Sequence, residues 1–598
     1  MAEKIRSREE IAREDTWAME DLYASDAAWL EDLEKLKTLG AKLPEYAGKL
    51  SASAQTLLEY QKLGEEISVL LDSLANYAQR KSDEDTRNAV YQDLTGKLTK
   101  VWVQLGADTA FEVPELLSIS DEQMEKFYEE VPELNLYRRH FDSIRRKRAH
   151  VLSESEEKLL AMAGEMAGTP EEVYSLFADA DLTFRPALDA NGEEHPITQG
   201  SYIAAMESPD RTLRKNAFES LYAGFGAYKN TVAAMLSGQV KQLEFFSKAR
   251  HYTSPLEASL DATEVPVSVY HELIEAVHQN MDKMHRYMRL RKKLLGVSEL
   301  HMYDLYTPLV AASEERIPFA EAKKTVAQAL GVMGERYGKI LQEGFNNRWI
   351  DVYENTGKRS GAYSAGARVH PYVLLNYTGT LDSEFTLAHE MGHAIHSYLS
   401  NKTQPIVYSD YVIFVAEVAS TCNEALLMQH LLKTTTDKKQ RAYLINHFLE
   451  QFRTTLYRQT MFAEFELKMA ERSAQGVTLT ADVLCEEYRK LNALYYGEDV
   501  VLDEEIALEW ARIPHFYYNY YVFQYATGYA AAIALSEGIL REGEPAVERY
   551  LGFLSGGCSK SPIELLKGAG VDMTTAEPVN QALSMFSKLL DEMEALTA

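Results

Sequence analysis

Two histidines and a glutamate stand within one five-residue stretch, residues 389–393, which reads His-Glu-Met-Gly-His. Positions four apart share one face of an α-helix, so His389 and His393 can direct imidazole nitrogens at a single metal ion. Glu390 lies one position round that helix, where its carboxylate can reach a water molecule on the ion. The spacing therefore predicts a zinc site with a general base beside it.

A third ligand is expected from a second helix. Glu417 is the one carboxylate in the otherwise apolar run 412–419, and burying that charge unpaired would cost free energy that a zinc ion would offset. A structural zinc site normally closes with four protein ligands, whereas three ligands leave a position for water. We therefore expect one catalytic Zn²⁺ per chain, held by His389, His393 and Glu417.

Two other residues are candidates for supporting roles. Glu424 follows Glu417 by seven residues, which puts it on the same helix face, where it can accept a proton from the far nitrogen of a ligating histidine. An ordinary salt bridge is the alternative for Glu424. His396 lies three residues past His393, an awkward position for a third ligand, so we expect a structural or substrate-facing role for it.

A second chemical cluster is the aromatic run 514–525, which reads Pro-His-Phe-Tyr-Tyr-Asn-Tyr-Tyr-Val-Phe-Gln-Tyr. By itself such a run usually packs in a core. A peptide carbonyl that is attacked beside a metal develops negative charge, and a tyrosine hydroxyl or His515 can donate a hydrogen bond to that oxygen. The metal motif therefore makes the run a candidate part of the site.

Helices must position these groups. Apolar residues recur at three- and four-residue intervals over 26–145 and again over 202–344, and residues after 382 continue in the same way. The helix that carries the metal motif has enough apolar surface to be buried, and Asp382 or Ser383 is predicted to cap its start. The predicted fold class is therefore mainly α.

Two interruptions of the helical pattern predict strands. Residues 182–198 read as a short hairpin around Asn191-Gly192, and the domain boundary is placed near it: 1–190 as a helical domain and 191–598 as a metallopeptidase catalytic domain. Residues 349–353 and 372–377 predict strands on either side of a glycine-bearing loop. These strands form a small sheet beside the metal helix.

Composition excludes several function classes. The net charge of -28 would repel a phosphate backbone, so nucleic acid is not an expected partner. The three cysteines, Cys422, Cys485 and Cys558, form no CxxC pair, and no apolar stretch is long enough for a leader or a membrane span. We expect a globular cytoplasmic protein without a membrane partner.

Several segments together resemble the thimet oligopeptidase family of zinc metallopeptidases, above all its oligoendopeptidase F branch. The resemblance extends from the N-terminal region almost to the C-terminus and includes segments 17–23, 368–377, 389–396, 414–420, 513–519 and 562–567. It implies a two-lobed helical ellipsoid with a deep channel that admits short peptides and excludes folded proteins. It also implies that His389, His393 and Glu417 bind zinc, and that Glu390 is the general base.

The resemblance extends to residues that contact the substrate, with one departure. His515 and a following tyrosine resemble the family's donors to the substrate carbonyl, but the tyrosine spacing differs. A gap-free alignment from His515 favours Tyr520, whereas one inserted residue favours Tyr521 and Tyr525, and we predict the latter pair. Tyr518 is a further candidate for substrate contact or support.

The loop that contains Gly361 and Gly366 resembles a family loop that contacts bound peptide, although a mobile connection is the alternative. The predicted function is hydrolysis of internal bonds in short, unstructured peptides. In the proposed reaction zinc polarises water and the scissile carbonyl, and Glu390 transfers the proton to the leaving amine. The alternative is a helical peptide-binding or scaffold protein with a structural metal.

Overall fold

The computed structural model describes residues 5–310 and 316–598, and these residues are mainly helical, as predicted. The α-helices, in chain order, are α1 (Asp26–Gly40), α2 (Ala54–Glu84), α3 (Ala89–Asp108), α4 (Glu112–Ser118), α5 (Asp121–Glu130), α6 (Arg138–Arg145), α7 (Glu154–Ala167), α8 (Thr169–Leu176), α9 (Gln199–Glu207), α10 (Arg211–Ala227), α11 (Lys229–Ala249), α12 (Pro255–Asp261), α13 (Val267–His278), α14 (Met281–Leu295), α15 (Phe319–Ala329), α16 (Gly334–Asn346), α17 (Leu381–Thr403), α18 (Ile413–Thr434), α19 (Lys438–Gln451), α20 (Arg458–Ala474), α21 (Ala481–Tyr496), α22 (Phe523–Glu542), α23 (Glu544–Leu554), α24 (Pro562–Gly568) and α25 (Glu577–Leu596).

The strands are short and form three small sheets within the described residues. They are β1 (Ala187–Leu188), β2 (Glu194–His195), β3 (Leu300–His301), β4 (Ile350–Asp351), β5 (Tyr363–Ala365), β6 (Tyr372–Leu374) and β7 (Val500–Val501). β1 and β2 form the predicted antiparallel hairpin, and Gly192 in its turn has a φ of 82°. β3 pairs with β7 in parallel.

The third sheet has the order β4-β6-β5 and precedes the helix that carries the metal motif. β4 and β6 are the two strands that the sequence predicted, and they pair in parallel, with Ile350 opposite Val373. β5 comes from the glycine-bearing loop and pairs antiparallel with β6. The sequence did not predict β5, which is only three residues long and has all three residues half-buried.

The described residues belong to two compact units. Unit 1 comprises residues 1–149, 315–429 and 535–570 of the chain, and unit 2 comprises 150–314, 430–534 and 571–598. Each unit therefore draws on three separate stretches of sequence. The predicted division of the chain at residue 190 stays a prediction.

In unit 1, hydrogen bonds join residues 17–18 to strand β6 of the third sheet. The indole Nε1 of Trp17 donates to the carbonyl oxygen of Val373 at 2.7 Å, and the Tyr372 hydroxyl donates to the carbonyl oxygen of Ala18 at 3.1 Å. Both hydrogen bonds are buried. They place residues 17–18 against β6, which is close in sequence to the metal helix α17.

Unit 2 contains ion pairs whose side chains are largely buried. Arg291 and Arg453 both donate to Glu450, at 2.8 Å and 2.6 Å. Arg458 donates two hydrogen bonds to Glu509, at 3.0 Å and 2.7 Å. Glu509 lies in a 3₁₀ segment, Glu504–Arg512, that leads into the aromatic run and contains the buried Trp510.

None of the helices in the described ranges combines the length and the apolar character needed to cross a membrane.

Candidate metal centre

Helix α17 carries the metal motif and begins one residue earlier than the predicted caps. Thr380, with an extended backbone, is the capping residue, and its hydroxyl accepts the backbone N–H of Ser383 at 3.1 Å. The prediction that Asp382 or Ser383 caps the helix was wrong, because both residues already lie in its first turn. The Ser383 hydroxyl instead lies 2.8 Å from that of Thr378.

The three predicted ligands converge at one point in unit 1. Glu417 on α18 places Oε2 at 3.4 Å from Nε2 of His389 and at 3.7 Å from Nε2 of His393. The candidate ligand atoms of the three residues all lie within 4.8 Å of one another. Two imidazole nitrogens and a carboxylate oxygen are a donor set that suits zinc. The side chains present therefore fit the metal that the sequence predicted.

Glu424 contacts the first of these histidines from the opposite side. Its Oε1 pairs with Nδ1 of His389, so that Nε2 is the nitrogen turned toward Glu417. Burial disfavours the charged imidazole, but the hydrogen bond and the charge of Glu424 outweigh burial and raise the pKa of His389 to about 9. A carboxylate on the far nitrogen fixes both the orientation of a ligating histidine and the nitrogen available to metal.

Burial dominates the pKa values of His393 and Glu390. Burial, together with the neighbouring His389, lowers the pKa of His393 to about 3, so this imidazole is neutral and can act as a ligand. Burial also raises the pKa of Glu390 to about 7. Its Oε2 is buried and has no hydrogen-bond partner among the described residues. A carboxyl group of this kind in a metal site suits proton transfer near neutral pH.

Gly392, between the two histidines, permits the close approach of α17 and α18. A Cβ atom at this position would lie 2.6 Å from Cα of Ser420 and 2.7 Å from the carbonyl oxygen of Ala419. These are backbone atoms of α18, which carries Glu417. Any larger residue at 392 would push the third ligand away from the first two.

Asn423 holds the same pair of helices by hydrogen bonds. Its Nδ2 donates to the carbonyl oxygen of Ala388 on α17 at 3.0 Å, and its Oδ1 accepts the Tyr337 hydroxyl of α16 at 2.7 Å. The sequence analysis missed both Asn423 and Gly392. The one signal in the sequence was a glycine inside a predicted helix, at Gly392, and it marks the position without giving the role. Asn423 follows other polar residues in the segment 420–424 and gave no signal.

His396 is buried beside an aromatic ring of a neighbouring segment. It is only 1% exposed, and its ring stacks on that of Tyr411, with centroids 3.7 Å apart. The Tyr411 hydroxyl lies 2.9 Å from Oγ of Ser397. These contacts place His396 in the packing between α17 and the segment before α18.

The two predicted loop glycines have different surroundings. A Cβ at Gly366 would lie 2.9 Å from the Ser397 side chain, so the loop packs tightly on α17 there. Gly361 has a φ of 81° and open space around its missing Cβ. Both glycines are exposed, and the backbone carbonyl of Gly366 also accepts a hydrogen bond from Asn76 of α2 at 3.2 Å.

The aromatic cluster lies in unit 2. The His515 ring centroid is 6.3 Å from that of Tyr521 and 6.1 Å from that of Tyr525, and the two tyrosine rings are 5.3 Å apart. Tyr518, 45% exposed, lies 5.5 Å from His515. Tyr520, the gap-free alternative, is buried against Tyr270 instead. Burial lowers the pKa of His515, so the ring is neutral and has one N–H to donate.

Comparison with known proteins shows the family of the chain. The model of Peptidase family M3 matches residues 204–585, and that of Oligopeptidase F matches 115–184. The chain is 48% identical to Oligopeptidase PepF of Bacillus subtilis, over 100% of this chain and 89% of that protein. It is 41% identical to an Oligoendopeptidase F homolog of Lactococcus lactis, over 99% of this chain and 98% of that protein. The oligoendopeptidase-F structure from Enterococcus faecium superposes with a TM-score of 0.74 at 38% identity, covering 96% of this chain and 99% of that one.

A helical fold whose two histidines and glutamate converge beside a buried carboxyl group defines a peptidase of the metal-dependent class. The chain belongs to peptidase family M3, in its oligopeptidase F branch.

Proposed function

We propose that this chain is a zinc-dependent endopeptidase that hydrolyses internal bonds of short peptides. The observation that carries the proposal is the convergence of His389, His393 and Glu417 beside Glu390 in a chain of family M3. Similarity to oligopeptidases along the whole chain supports oligopeptides as the substrate class. The cytoplasmic location expected from the sequence belongs to the same proposal.

His389, His393 and Glu417 would hold the zinc ion, and Glu424 would fix the first histidine. When bound, zinc supplies a Lewis acid that acidifies water and polarises a carbonyl group. The fit of the donor set supports this assignment.

Glu390 is the proposed general base. Its carboxylate removes a proton from the attacking water, and the resulting carboxylic acid then gives that proton to the amine that leaves. Glu390 is buried, its Oε2 has no hydrogen-bond partner among the described residues, and its pKa is about 7. These properties support both the uptake and the release of a proton near neutral pH. No covalent bond to the enzyme is formed at any stage.

His515, Tyr521 and Tyr525 are the proposed donors to the oxygen that becomes negative when the carbonyl is attacked. The grouping of their rings supports the choice of Tyr521 and Tyr525 over the buried Tyr520. Tyr518, Gly361 and Gly366 are proposed contacts of the peptide chain. The exposure of Tyr518 and Gly361 is consistent with that role.

The central test is Glu390→Gln. We expect this variant to retain stoichiometric zinc and to lose at least ~10²-fold in kcat on a quenched-fluorescence peptide, because general acid–base catalysis typically contributes that much. Zinc content is measured on the same preparation. A variant with full activity would refute the assignment of the base. Wild-type protein with full zinc but no cleavage of a peptide panel would favour a structural metal in a peptide-binding protein.

The position of the cleaved bond is tested separately. Peptides blocked at both termini should be cleaved as fast as unblocked ones, since the proposal requires no recognition of a free end. Product mapping by mass spectrometry over a series of peptide lengths, with and without chelator, identifies the bond. Loss of hydrolysis on blocking both ends would show an exopeptidase.

A further inference from the structure

A strained turn lies inside the aromatic cluster of unit 2. Asn519 and Tyr520 have φ values of 55° and 57°, in the left-handed region. Single asparagines adopt this conformation with some frequency, but two successive residues without glycine, one of them bulky, are unfavourable. Such a turn persists only where the surrounding structure holds it.

The turn separates the groups that the proposed function uses. His515 lies in the short helical segment before it, Pro514–Tyr517, whereas Tyr521 and Tyr525 follow it. The relative positions of the imidazole and the two phenol rings therefore depend on the backbone at 519–520. A change in that backbone would move the rings with respect to each other.

Glu466 of α20 holds the turn through its backbone. Its Oε1 accepts the N–H of Tyr520 at 3.0 Å in a buried hydrogen bond. The side chain of Gln239 of α11 donates to the carbonyl oxygen of Tyr517 at 3.0 Å and to Oδ1 of Asn519 at 2.9 Å. Glu466 therefore supplies the hydrogen-bond acceptor for the backbone N–H of Tyr520, the second of the two strained residues.

The surroundings of Glu466 indicate that it acts as an acceptor and not as half of an ion pair. The residue is 6% exposed, and its Oε2 is buried without a hydrogen-bond partner among the described residues. Burial raises the pKa of Glu466 to about 8, although the Tyr520 N–H acts in the opposite direction. At neutral pH the group is therefore mainly a carboxylic acid, whose carbonyl oxygen still accepts a hydrogen bond.

We propose that Glu466 is a positioning residue for catalysis: by holding the Tyr520 N–H it maintains the strained turn and sets His515, Tyr521 and Tyr525 in their working arrangement. This inference rests on the proposed role of these three residues in stabilising the oxyanion. Glu466 contacts the backbone of Tyr520 and is not one of the three proposed donors. Its effect is expected in kcat, because small displacements of catalytic groups are costly in rate.

The test compares Glu466→Gln with Glu466→Leu in the full-length, zinc-loaded chain. Glutamine keeps an acceptor oxygen in the same place, so kcat should stay within about threefold of wild type. Leucine removes the acceptor, and kcat should fall by about 10²-fold with zinc content and KM little changed, as expected for misplaced catalytic groups. If the leucine variant does not fold, Glu466→Met, with a longer unbranched side chain, takes its place under the same criteria.

Glu464→Leu is the matched control. Glu464 lies on the same helix, is also 6% exposed, and bonds His278 at 2.7 Å and Tyr495 at 3.0 Å without touching the turn. It should cost thermal stability and leave kcat of the folded protein near that of wild type. The proposal is overturned if Glu466→Leu retains kcat, if Glu466→Gln fails to rescue it, or if Glu464→Leu lowers kcat equally.

His515→Ala and Tyr525→Phe are measured in parallel to separate the two proposals. If both retain full kcat, the role proposed for the aromatic cluster fails, and with it the reason for holding the turn. If both lose kcat while Glu466→Leu does not, the cluster assignment stands and only the positioning role of Glu466 is refuted.

Discussion

Glu424 shows how a residue outside the ligand set can decide what a ligand does. It occupies Nδ1 of His389 and leaves Nε2 for the side that faces Glu417. Without that partner the imidazole could rotate or present the wrong nitrogen. Partners of this kind are responsible for a substantial part of metal affinity in other proteins.

The corresponding prediction is that Glu424→Gln weakens zinc binding by roughly 10- to 100-fold, as is typical when a residue that hydrogen-bonds to a metal ligand is changed. An amide can still accept a hydrogen bond, but it lacks the charge that makes the histidine a stronger ligand. Affinity is measured by competition with a chromogenic chelator. Asp382→Asn, the same change at an exposed position of α17, is the control. Equal affinities for Glu424→Gln and the control would contradict the prediction.

Glu384 gives a pH-dependent prediction at the same scale. Burial raises its pKa to about 7, and a hydrogen bond from Thr325 only partly opposes this. A raised pKa means that the folded state holds the proton more tightly than the unfolded state. Its contribution to stability is therefore fully present below the unfolded pKa of about 4.5 and is lost as pH rises through about 7.

Glu384→Gln has no proton to lose, so its free energy of unfolding should improve relative to wild type as pH rises from about 5 to 8. One pKa unit corresponds to about 1.4 kcal/mol, so the relative change is on the order of 3 kcal/mol. Denaturant unfolding of the metal-free proteins at the two pH values measures it. A difference between variant and wild type that does not change with pH would rule out ionisation of a buried Glu384.

At the scale of elements, the metal site depends on how closely two helices approach. Gly392 has backbone atoms of α18 within 2.6–2.9 Å of where its Cβ would be, so the close contact is made by main chain and cannot yield by rotating a side chain. Asn423 then ties α18 to the backbone of α17. The distance from Glu417 to the histidines is set by this packing.

Gly392→Ala should therefore separate the helices, although alanine is the better helix former. We expect it to weaken zinc binding at least ~10-fold and to destabilise the protein by about 1–3 kcal/mol, as overpacking typically does. Zinc competition and thermal unfolding provide the two readouts. Gly338→Ala on α16, where the new Cβ would meet no side chain and no backbone of another element within 4 Å, is the matched control. It should be neutral or slightly stabilising, and a similar loss in both variants would exclude the packing argument.

The sequence predicted the features of the site that depend on local periodicity. The spacing of His389 and His393 and the lone carboxylate of α18 indicated the convergence that is found. The predicted cap was wrong because three residues near the start of α17, Thr380, Asp382 and Ser383, have side chains that can cap a helix. Only the backbone conformation shows that Thr380 does so. The roles of Gly392 and Asn423 could not be predicted, because they depend on which helix lies opposite.

At the scale of the whole molecule, each unit is made of stretches that lie far apart in the sequence. Unit 2, for example, combines residues 150–314 with 430–534 and 571–598. Local composition does not reveal such an arrangement, because each stretch reads as ordinary amphipathic helix. Glu450 shows how the stretches are joined, since its partners Arg291 and Arg453 come from different ones.

Burial works against ionisation of Glu450, but the charges of Arg453 and Arg291 outweigh it and lower the pKa to about 2. Glu450→Gln would leave two arginines without their carboxylate, and we expect a loss of about 3–5 kcal/mol at pH 7. Because the folded pKa is depressed, the wild-type advantage should shrink as pH falls from about 4.5 toward 2. Unfolding free energies across this range measure it.

Glu594→Gln is the control for that experiment. Glu594 pairs with Arg286 in the same unit at 2.7 Å, but its side chain is 42% exposed. A pair with that exposure contributes only about 0–1 kcal/mol. If Glu450→Gln and Glu594→Gln cost equal stability, the ion pairs of unit 2 would not be what joins its stretches.

Trp510 has a practical consequence for following such changes. The sequence holds five tryptophans, at positions 17, 29, 102, 349 and 510, and of these described residues the last alone belongs to unit 2. It is buried, one residue after Glu509 and five before His515. Its indole emission is therefore an intrinsic optical probe of unit 2. The difference between the fluorescence of wild type and Trp510→Phe isolates that signal without any attached label.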